Sequence, residues 1–246
     1  MITRSIACTI ERRLLVNYRI SPDLLCAHLP AGFRPQLVSG WAVGGVCFIR
    51  LAHARPSGLP LRIGIRSENV AHRFAVEWND GPETRAGVFI PRRDTNSRAV
   101  TIAGGPVFPG VHHRATFTVT ESPDQIAIAV ASRDHQVSLD VTAHPVGRFT
   151  SELFSSVEDA MNFFRHGSTG WSPSLDGSLD QVRLSCDQWN ARPAQVARMV
   201  SNLFGDPTRF PPEDCTLDSA LLMEDLSATW AGSPKIRQPG SPREAA

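Results

Sequence analysis

The sequence predicts a mainly β protein, either a closed antiparallel barrel or two packed sheets, with a few short helices. Many short segments alternate apolar and polar residues, as half-buried strands do, whereas only two or three segments carry helix-capping residues. A β fold can hold all 246 residues in one domain. We expect that domain over residues 1–230 and a disordered Gly-, Ser- and Pro-rich tail over residues 231–246.

The elements are predicted from local patterns in chain order. Strands are expected at residues 11–20, 33–38, 41–52, 68–78, 84–90, 113–120, 125–132, 136–143, 182–189 and 216–230. One helix begins after Ser21, and another follows Ser156 with Gly167 at its C-cap. The turn Asn79–Gly81 joins two strands into a hairpin. Residues 193–204 stay ambiguous because their apolar residues have helical spacing.

Charge and composition exclude several classes of function. The chain has 25 basic and 24 acidic residues, so its net charge of +1 gives no reason to expect a nucleic-acid or membrane partner. No stretch approaches the roughly 18 apolar residues of a membrane span, and no secretory leader is visible, so we expect a cytoplasmic protein. The five cysteines form no CxxC pair. Lys235 is the only lysine.

The predicted strand over residues 68–78 carries two titratable groups on its apolar face. Alternation places Glu68 and His72 beside Val70, with Asn69 on the other face. Titratable groups on an apolar face are typical of a pocket wall, which makes Glu68 and His72 candidate catalytic residues. The alternatives are a hydrated Glu68 at the end of the strand and a satisfied His72 in the core.

A dense polar cluster lies at residues 90–98, directly after a predicted strand. Arg92 and Arg93 would leave the end of the sheet together there. They would form a clamp for a carboxylate or phosphate, because each guanidinium offers a planar fork of donors. The alternative is a surface ion-pair cluster in which Asp94 pairs with one arginine. A short helix is expected over residues 96–103.

The histidines predict no metal site. His112 and His113 are adjacent, and neighbouring residues of a strand point to opposite faces of the sheet. The other histidines show no HxH, HxxxH or HExxH spacing. A P-loop, a dinucleotide-binding glycine motif and a G-x-S-x-G elbow are missing as well. We therefore expect neither metal nor cofactor, while one histidine of the pair, taken here as His112, lines a cavity.

Several of these segments resemble the acetoacetate decarboxylase-like superfamily. Tyr18-Arg19 followed by Leu25, Leu29 and Pro30 is similar to the early part of those enzymes, and Ile90–Arg93 lies where they have a proline followed by two lysines. The similarity is strongest to the YqjF-like branch of uncharacterised proteins and covers about residues 10–230. It shows in residues 12–18, 66–69, 91–97 and 108–113.

This resemblance implies an antiparallel β-barrel or cone with a buried pocket, and frequent assembly into homo-oligomers. In the decarboxylase, the first lysine of the pair forms a Schiff base with a β-keto acid and the second keeps the first neutral. Arg92 and Arg93 stand at those positions here, and arginine stays protonated and does not condense with a ketone. The chain is therefore predicted not to be a Schiff-base decarboxylase.

The resemblance also implies site residues elsewhere in the chain. The family has an arginine near its start for the substrate carboxylate, and this position falls near Arg12 or Arg13. The family lines its pocket with two glutamates. Glu68 lies where the later one is expected, and the earlier one is missing.

Two classes of function follow from these residues. The first is an enzyme (a lyase, isomerase or cyclase) that stabilises an enolate of a small keto or carboxylic acid without a lysine. The second is a protein that binds or senses a small organic acid without turnover. We favour the enzyme, because a Glu, His and Arg grouping costs stability if it does nothing. The candidate catalytic residues are Glu68, His72 and His112, and the candidate substrate-binding residues are Arg92, Arg93, Arg13 and Asn69.

Overall fold

The computed structural model describes residues 5–58, 64–103 and 110–236. The strands within these ranges are β1 (Ser5–Ile20), β2 (Phe33–Pro35), β3 (Leu37–Val38), β4 (Trp41–Pro56), β5 (Ile65–Asp80), β6 (Glu83–Thr95), β7 (His112–Ser122), β8 (Gln125–Ser132), β9 (Ser138–Pro145), β10 (Thr169–Pro173), β11 (Leu179–Cys186), β12 (Arg192–Ser201) and β13 (Cys215–Ile236). The helices are α1 (Pro22–Cys26), α2 (Arg98–Ala103) and α3 (Val157–His166). The prediction of a mainly β fold with a few short helices is confirmed.

The strands form one sheet that closes on itself twice. Five strands, in the order β13-β1-β4-β5-β6, make a wall common to both closures. On one side of the wall, β7, β8, β9 and β12 complete a ring; on the other side, β10 and β11 complete a second, smaller ring. The pairings are antiparallel except those of β6 with β7 and with β10, which are parallel. The shared wall therefore has a core on each face.

Strand β5 shows how the wall serves both cores. Its side chains alternate, so Val70 and Phe74 pack into the core under β7, β8 and β9, whereas Ala75 packs into the core under α3. All three are almost fully buried. Burying a large apolar side chain contributes about 1.5–3 kcal/mol to the stability of the fold, so exposing either face of the wall to water would be strongly destabilising. Residues of one strand thus reach two separate interiors.

Several local predictions are confirmed. Strands β5 and β6 pair as a hairpin, with Asn79 opposite Thr84, and β7, β8 and β9 form an antiparallel meander. The Ser156 side chain caps α3 by accepting a hydrogen bond from the Asp159 N–H at 3.1 Å, and Gly167 is the C-cap. A hydroxyl at the N-cap satisfies an N–H group that the helix itself leaves unpaired.

Other predictions are corrected. The ambiguous segment is strand β12, because its backbone pairs with β9 and β13, which outweighs the helical spacing of its apolar residues. Strand β10 (Thr169–Pro173) lies outside all the strands predicted from the sequence. Strand β13 pairs with β11 as far as Ile236, so the tail does not begin at residue 231 and Lys235 belongs to a strand. Residues 237–246 of the predicted tail lie outside the described ranges.

Candidate functional site

The two arginines of the polar cluster point to opposite faces of the sheet. Strand β6 does not end at Ile90 but continues to Thr95, held by β5 on one side and by β7 on the other. Arg92 lies opposite His72 and Arg93 lies opposite Ala71. Because successive residues of a strand alternate between faces, the two guanidiniums separate. The prediction that they converge into one clamp is wrong.

Arg92 belongs to an ion-pair cluster. Its Nη2 lies 2.7 Å from Asp94 Oδ1 and 2.8 Å from Asp134 Oδ2, and Asp134 Oδ2 also lies 3.3 Å from His113 Nδ1. Asp94 is buried, so burial raises the pKa of its carboxyl, with the Arg92 guanidinium opposing that shift. This arrangement is the ion-pair alternative that the sequence left open, and it occupies the Nε and Nη2 donors of Arg92.

Arg93 points into the other interior. Its Nε donates to Ser172 Oγ at 2.9 Å, and its Nη2 is buried with no hydrogen-bond partner among the described residues. Burial lowers the pKa of this guanidinium to about 10, so it remains charged at neutral pH. Gly110, with φ of +87°, allows the close approach, because a Cβ there would lie 2.8 Å from Ser172 Cβ and 3.4 Å from Arg93 Nε.

Arg93 lines a cleft with two lobes. The first lobe has a volume of about 70 Å³ and the second about 50 Å³. The two lobes are adjacent and are together called the cleft here, because both are lined by Cys47, Ile49, Ala71, Arg93, Val182 and Trp230. Water takes about 30 Å³ of the liquid, so each lobe has room for a group of a few heavy atoms. The shared lining is apolar apart from Arg93. These apolar surroundings lower the local dielectric constant and so strengthen any charge interaction inside the cleft.

His112 and Asn69 line the first lobe, as the sequence predicted that they would line a site. His112 Nδ1 donates to the Gly110 carbonyl oxygen at 3.1 Å, which fixes the tautomer. Burial, followed by the charge of Arg93, lowers the pKa of His112 to about 3, so its imidazole is neutral at pH 7. Asn69 Nδ2 donates to the Ser67 carbonyl oxygen at 3.1 Å, which orients the side chain.

Two further arginines line the second lobe. Arg13 lies there, in agreement with the sequence prediction, with its guanidinium carbon 5.9 Å from the Trp189 ring centroid. Arg73 was not predicted as a site residue. Its guanidinium carbon lies 4.6 Å from the Phe164 ring centroid, and burial lowers its pKa to about 10. Its position on the polar face of the predicted strand, two residues beyond Ala71, was the available indication.

Glu68 does not reach the cleft. Its carboxylate pairs with Arg50 and with Arg12, both at 2.5 Å, and the same two arginines pair with Glu121. The alternation of β5 puts Glu68 on the face opposite Asn69 and the cleft. The catalytic role predicted for Glu68 therefore lacks the required geometry, because both carboxylate oxygens already hold guanidiniums. Arg12 belongs to this network, which leaves Arg13 as the member of the pair in the cleft.

His72 is a core residue on the same face as Glu68. Its side chain lies in the interior with Phe204, at 6.1 Å between ring centroids, and neither ring nitrogen has a hydrogen-bond partner within the described ranges. Burial, and then the charges of Arg92 and Arg209, lower the pKa of His72 to about 4. The predicted grouping of His72 with Arg93 does not form, because the shared wall separates them.

The described part of the chain contains no group of three His, Cys, Asp or Glu side chains placed to hold a metal ion. Along the same residues, no helix is both long and apolar enough to cross a membrane.

The family model of DUF2071, a group of uncharacterized conserved proteins, matches residues 8–216. The chain belongs to this family. No functionally curated protein matches the DUF2071 chain in sequence. Its fold is similar to an acetoacetate decarboxylase from Legionella pneumophila subsp. pneumophila str. Philadelphia 1, at 14% identity and a TM-score of 0.58 over 93% of this chain and 84% of the other.

Two further structures share the fold of this DUF2071 protein. An acetoacetate decarboxylase-like enzyme from Sphingomonas wittichii RW1 is 14% identical, with a TM-score of 0.59 over 96% of this chain and 92% of the other. The enduracididine biosynthesis enzyme MppR, solved in complex with pyruvate, is 12% identical, with a TM-score of 0.60 over 96% of this chain and 90% of the other. These likenesses confirm the predicted acetoacetate decarboxylase-like fold, and at such low identity they show the fold alone.

Proposed function

We propose that the cleft binds a small organic acid whose carboxylate pairs with Arg93. The observation that carries this proposal is the buried Nη2 of Arg93, a charged donor with no hydrogen-bond partner in the described structure, beside an apolar cleft. Leaving a buried charged donor unsatisfied is costly, and a carboxylate would satisfy it through charge-assisted hydrogen bonds. His112 and Asn69 border the same lobe and could contact the rest of the acid.

The known complexes of a structural neighbour are consistent with this class of ligand. MppR has been solved with pyruvate and with the condensation product of pyruvate and imidazole 4-carboxaldehyde. Pyruvate is a small keto acid of the kind expected from the sequence. The inference from fold to ligand is an analogy, so Arg93 and its surroundings carry the proposal.

Binding is better supported than turnover. Of the three candidate catalytic residues, His112 alone lines the cleft, and its neutral imidazole with a pKa near 3 is a weak base at neutral pH. An arginine at the cleft cannot form an imine. A lysine-independent reaction is the second candidate function. One observation favours it: Arg93 and His112 line the same lobe, and the charge of Arg93 contributes to the lowered pKa of His112. In that arrangement the Arg93 guanidinium would stabilise the negative charge of an enolate.

A ligand screen by thermal shift tests the proposal. Pyruvate, acetoacetate and related short acids should raise the melting temperature of the wild-type protein, because a ligand that binds only the folded state stabilises it. The shift should disappear in Arg93→Gln. It should persist in Arg85→Gln, a control in the same strand whose exposed arginine pairs with Glu83.

The same samples distinguish the two candidate functions. Following each bound acid by proton NMR would show whether it is consumed. Turnover lost in His112→Gln would support the enzyme, whereas binding without turnover would support the binding protein. If no short carboxylate stabilises the wild-type protein, the proposal is wrong.

A further inference from the structure

The second lobe of the cleft has an unusual charge. Its lining includes three arginines, Arg13, Arg73 and Arg93, and within the described residues it includes no aspartate or glutamate. Asp180 acts electrostatically on Arg93 from outside this lining and accepts the Gly110 N–H at 2.9 Å. Within the described lining of the second lobe the guanidiniums thus outnumber the carboxylates, while Asp94 at the first lobe is paired with Arg92. The remaining positive charge in a low-dielectric site favours an anion.

The partners of Arg13 do not neutralise it. Its Nε contacts Cys47 Sγ at 3.4 Å and its Nη1 contacts Met223 Sδ at 4.0 Å. Sulfur atoms of this kind are weak acceptors, so these contacts satisfy the guanidinium poorly. The Trp189 ring lies beside the guanidinium and adds a weak cation–π contact.

Arg73 is buried, and two of its guanidinium nitrogens lack hydrogen-bond partners among the described residues. Its Nη2 donates to Asn17 Oδ1, while its Nε and Nη1 are buried with no hydrogen-bond partner in the described ranges. A neutral amide oxygen and the face of Phe164 are the contacts that offset its charge. A buried guanidinium donor without a partner is costly, so the unpaired Nε and Nη1 of Arg73 require an explanation.

From these contacts the geometry points to a second anion subsite, so that the cleft takes a small dicarboxylic acid. One carboxylate would pair with Arg93 beside the first lobe, and the other would pair with Arg13 and Arg73 in the second lobe. This inference rests on the proposed function and extends it from one carboxylate to two.

Calorimetric titration of the whole protein with succinate and butyrate tests the inference. The two acids have the same number of carbons, and succinate has a carboxylate where butyrate has a methyl group. Wild-type protein should bind succinate at least about tenfold more tightly, the effect of one charge-assisted contact. Arg13→Gln should reduce the preference to less than about threefold while it changes butyrate affinity little. Arg93→Gln should lower the affinity of the protein for both acids.

Arg19→Gln is the matched control. Arg19 lies on the same strand as Arg13 and also contacts a tryptophan, Trp41 at 5.1 Å, but it pairs with Glu152 at the surface and does not line the cleft. The control should keep the preference for succinate. The comparison of the two acids on the wild-type protein needs no variant, so the test stands even if Arg13→Gln fails to fold.

Each result has a distinct meaning. Equal affinity for the two acids, with butyrate binding lost in Arg93→Gln, would overturn the dicarboxylate inference and leave the proposed function standing. A preference for succinate that survives in Arg13→Gln would overturn the assignment of the second subsite. Inorganic phosphate binding more tightly than succinate would overturn the dicarboxylate in favour of a phosphate dianion. No binding of any acid would overturn the inference and the proposed function together.

Discussion

Acid should destabilise this protein, and the buried His72 should account for a measurable part of the loss. An unfolded histidine has a pKa near 6.5, whereas burial lowers the pKa of His72 in the folded protein to about 4. Between these two pKa values, His72 is therefore protonated in the unfolded state and neutral in the folded state. The stability that His72 contributes is complete above about pH 6.5 and is lost as the pH falls toward 4.

The size of the effect follows from the two pKa values. Each pKa unit corresponds to about 1.36 kcal/mol, so near pH 4.5 the His72 contribution is lower by about 2.5 kcal/mol than near pH 8. In the variant His72→Leu that part of the loss should vanish. The variant also removes two buried ring nitrogens that lack hydrogen bonds within the described structure, which should not cost stability at neutral pH.

Urea denaturation followed by tryptophan fluorescence, repeated from about pH 8 to 4.5, measures this difference. His112 and the carboxylates also titrate, so the comparison of variant with wild type isolates His72. His166→Leu, which changes an exposed histidine at the end of α3, is the control. If wild type and His72→Leu lose stability in parallel, His72 is not the buried neutral group that the structure shows.

The remaining predictions concern the ion-pair network, the cleft wall and the absence of a reactive lysine. Glu68→Gln should lower the free energy of unfolding by roughly 3 kcal/mol, because it leaves Arg12 and Arg50 partly unpaired. The same substitution should not change the affinity for a short acid. Loss of acid binding with unchanged stability would instead show that Glu68 belongs to the binding site. Gly110→Ala should lower the free energy of unfolding, measured by urea denaturation, by about 1–2 kcal/mol, because residue 110 has a φ of +87°. It should also weaken acid binding, because the added Cβ would press on Ser172. A variant with wild-type stability and affinity would contradict the packing described. Borohydride treatment with acetoacetate should leave the mass of the protein unchanged by mass spectrometry, and an adduct on Lys235 would contradict the assignment of a lysine-independent site.

Local chemistry made much of the fold predictable. The alternation of β5 and the Ser156 cap of α3 depend on neighbouring residues, and both are confirmed. Strand β12 could not be assigned in the same way, because its conformation is set by pairing with β9, which lies about 50 residues earlier in the chain. The same holds for the end of β13, where pairing with β11 continues through a Gly-, Ser- and Pro-containing stretch.

Several residues predicted for the site lie together in the structure, although the predicted arrangement does not form. Arg93, His112, Asn69 and Arg13 line one cleft, and their roles in binding or catalysis stay predictions. What the sequence could not reveal was where β6 ends. Because β6 runs to Thr95, alternation sends Arg92 to the Asp94 ion pair and away from Arg93.

The same alternation separates two of the three candidate catalytic residues, Glu68 and His72, from the cleft. Glu68 and His72 were predicted to be catalytic because titratable groups on an apolar strand face are typical of a pocket wall, yet both lie on the face of β5 opposite Asn69. Which face of a wall encloses the cleft depends on the second closure of the sheet by β10 and β11. That closure involves a parallel pairing of β10 with β6, which local patterns do not predict.

The central claim is that Arg93 holds a carboxylate in the cleft, and one calorimetric measurement tests it most directly. Pyruvate titrated into wild-type, Arg93→Gln and Arg85→Gln proteins should bind the wild type and Arg85→Gln with equal affinity. Binding to Arg93→Gln should be weaker by roughly 10- to 100-fold, the effect of losing charge-assisted hydrogen bonds. Equal affinity for all three proteins would contradict the account, because it would place the acid somewhere other than at Arg93.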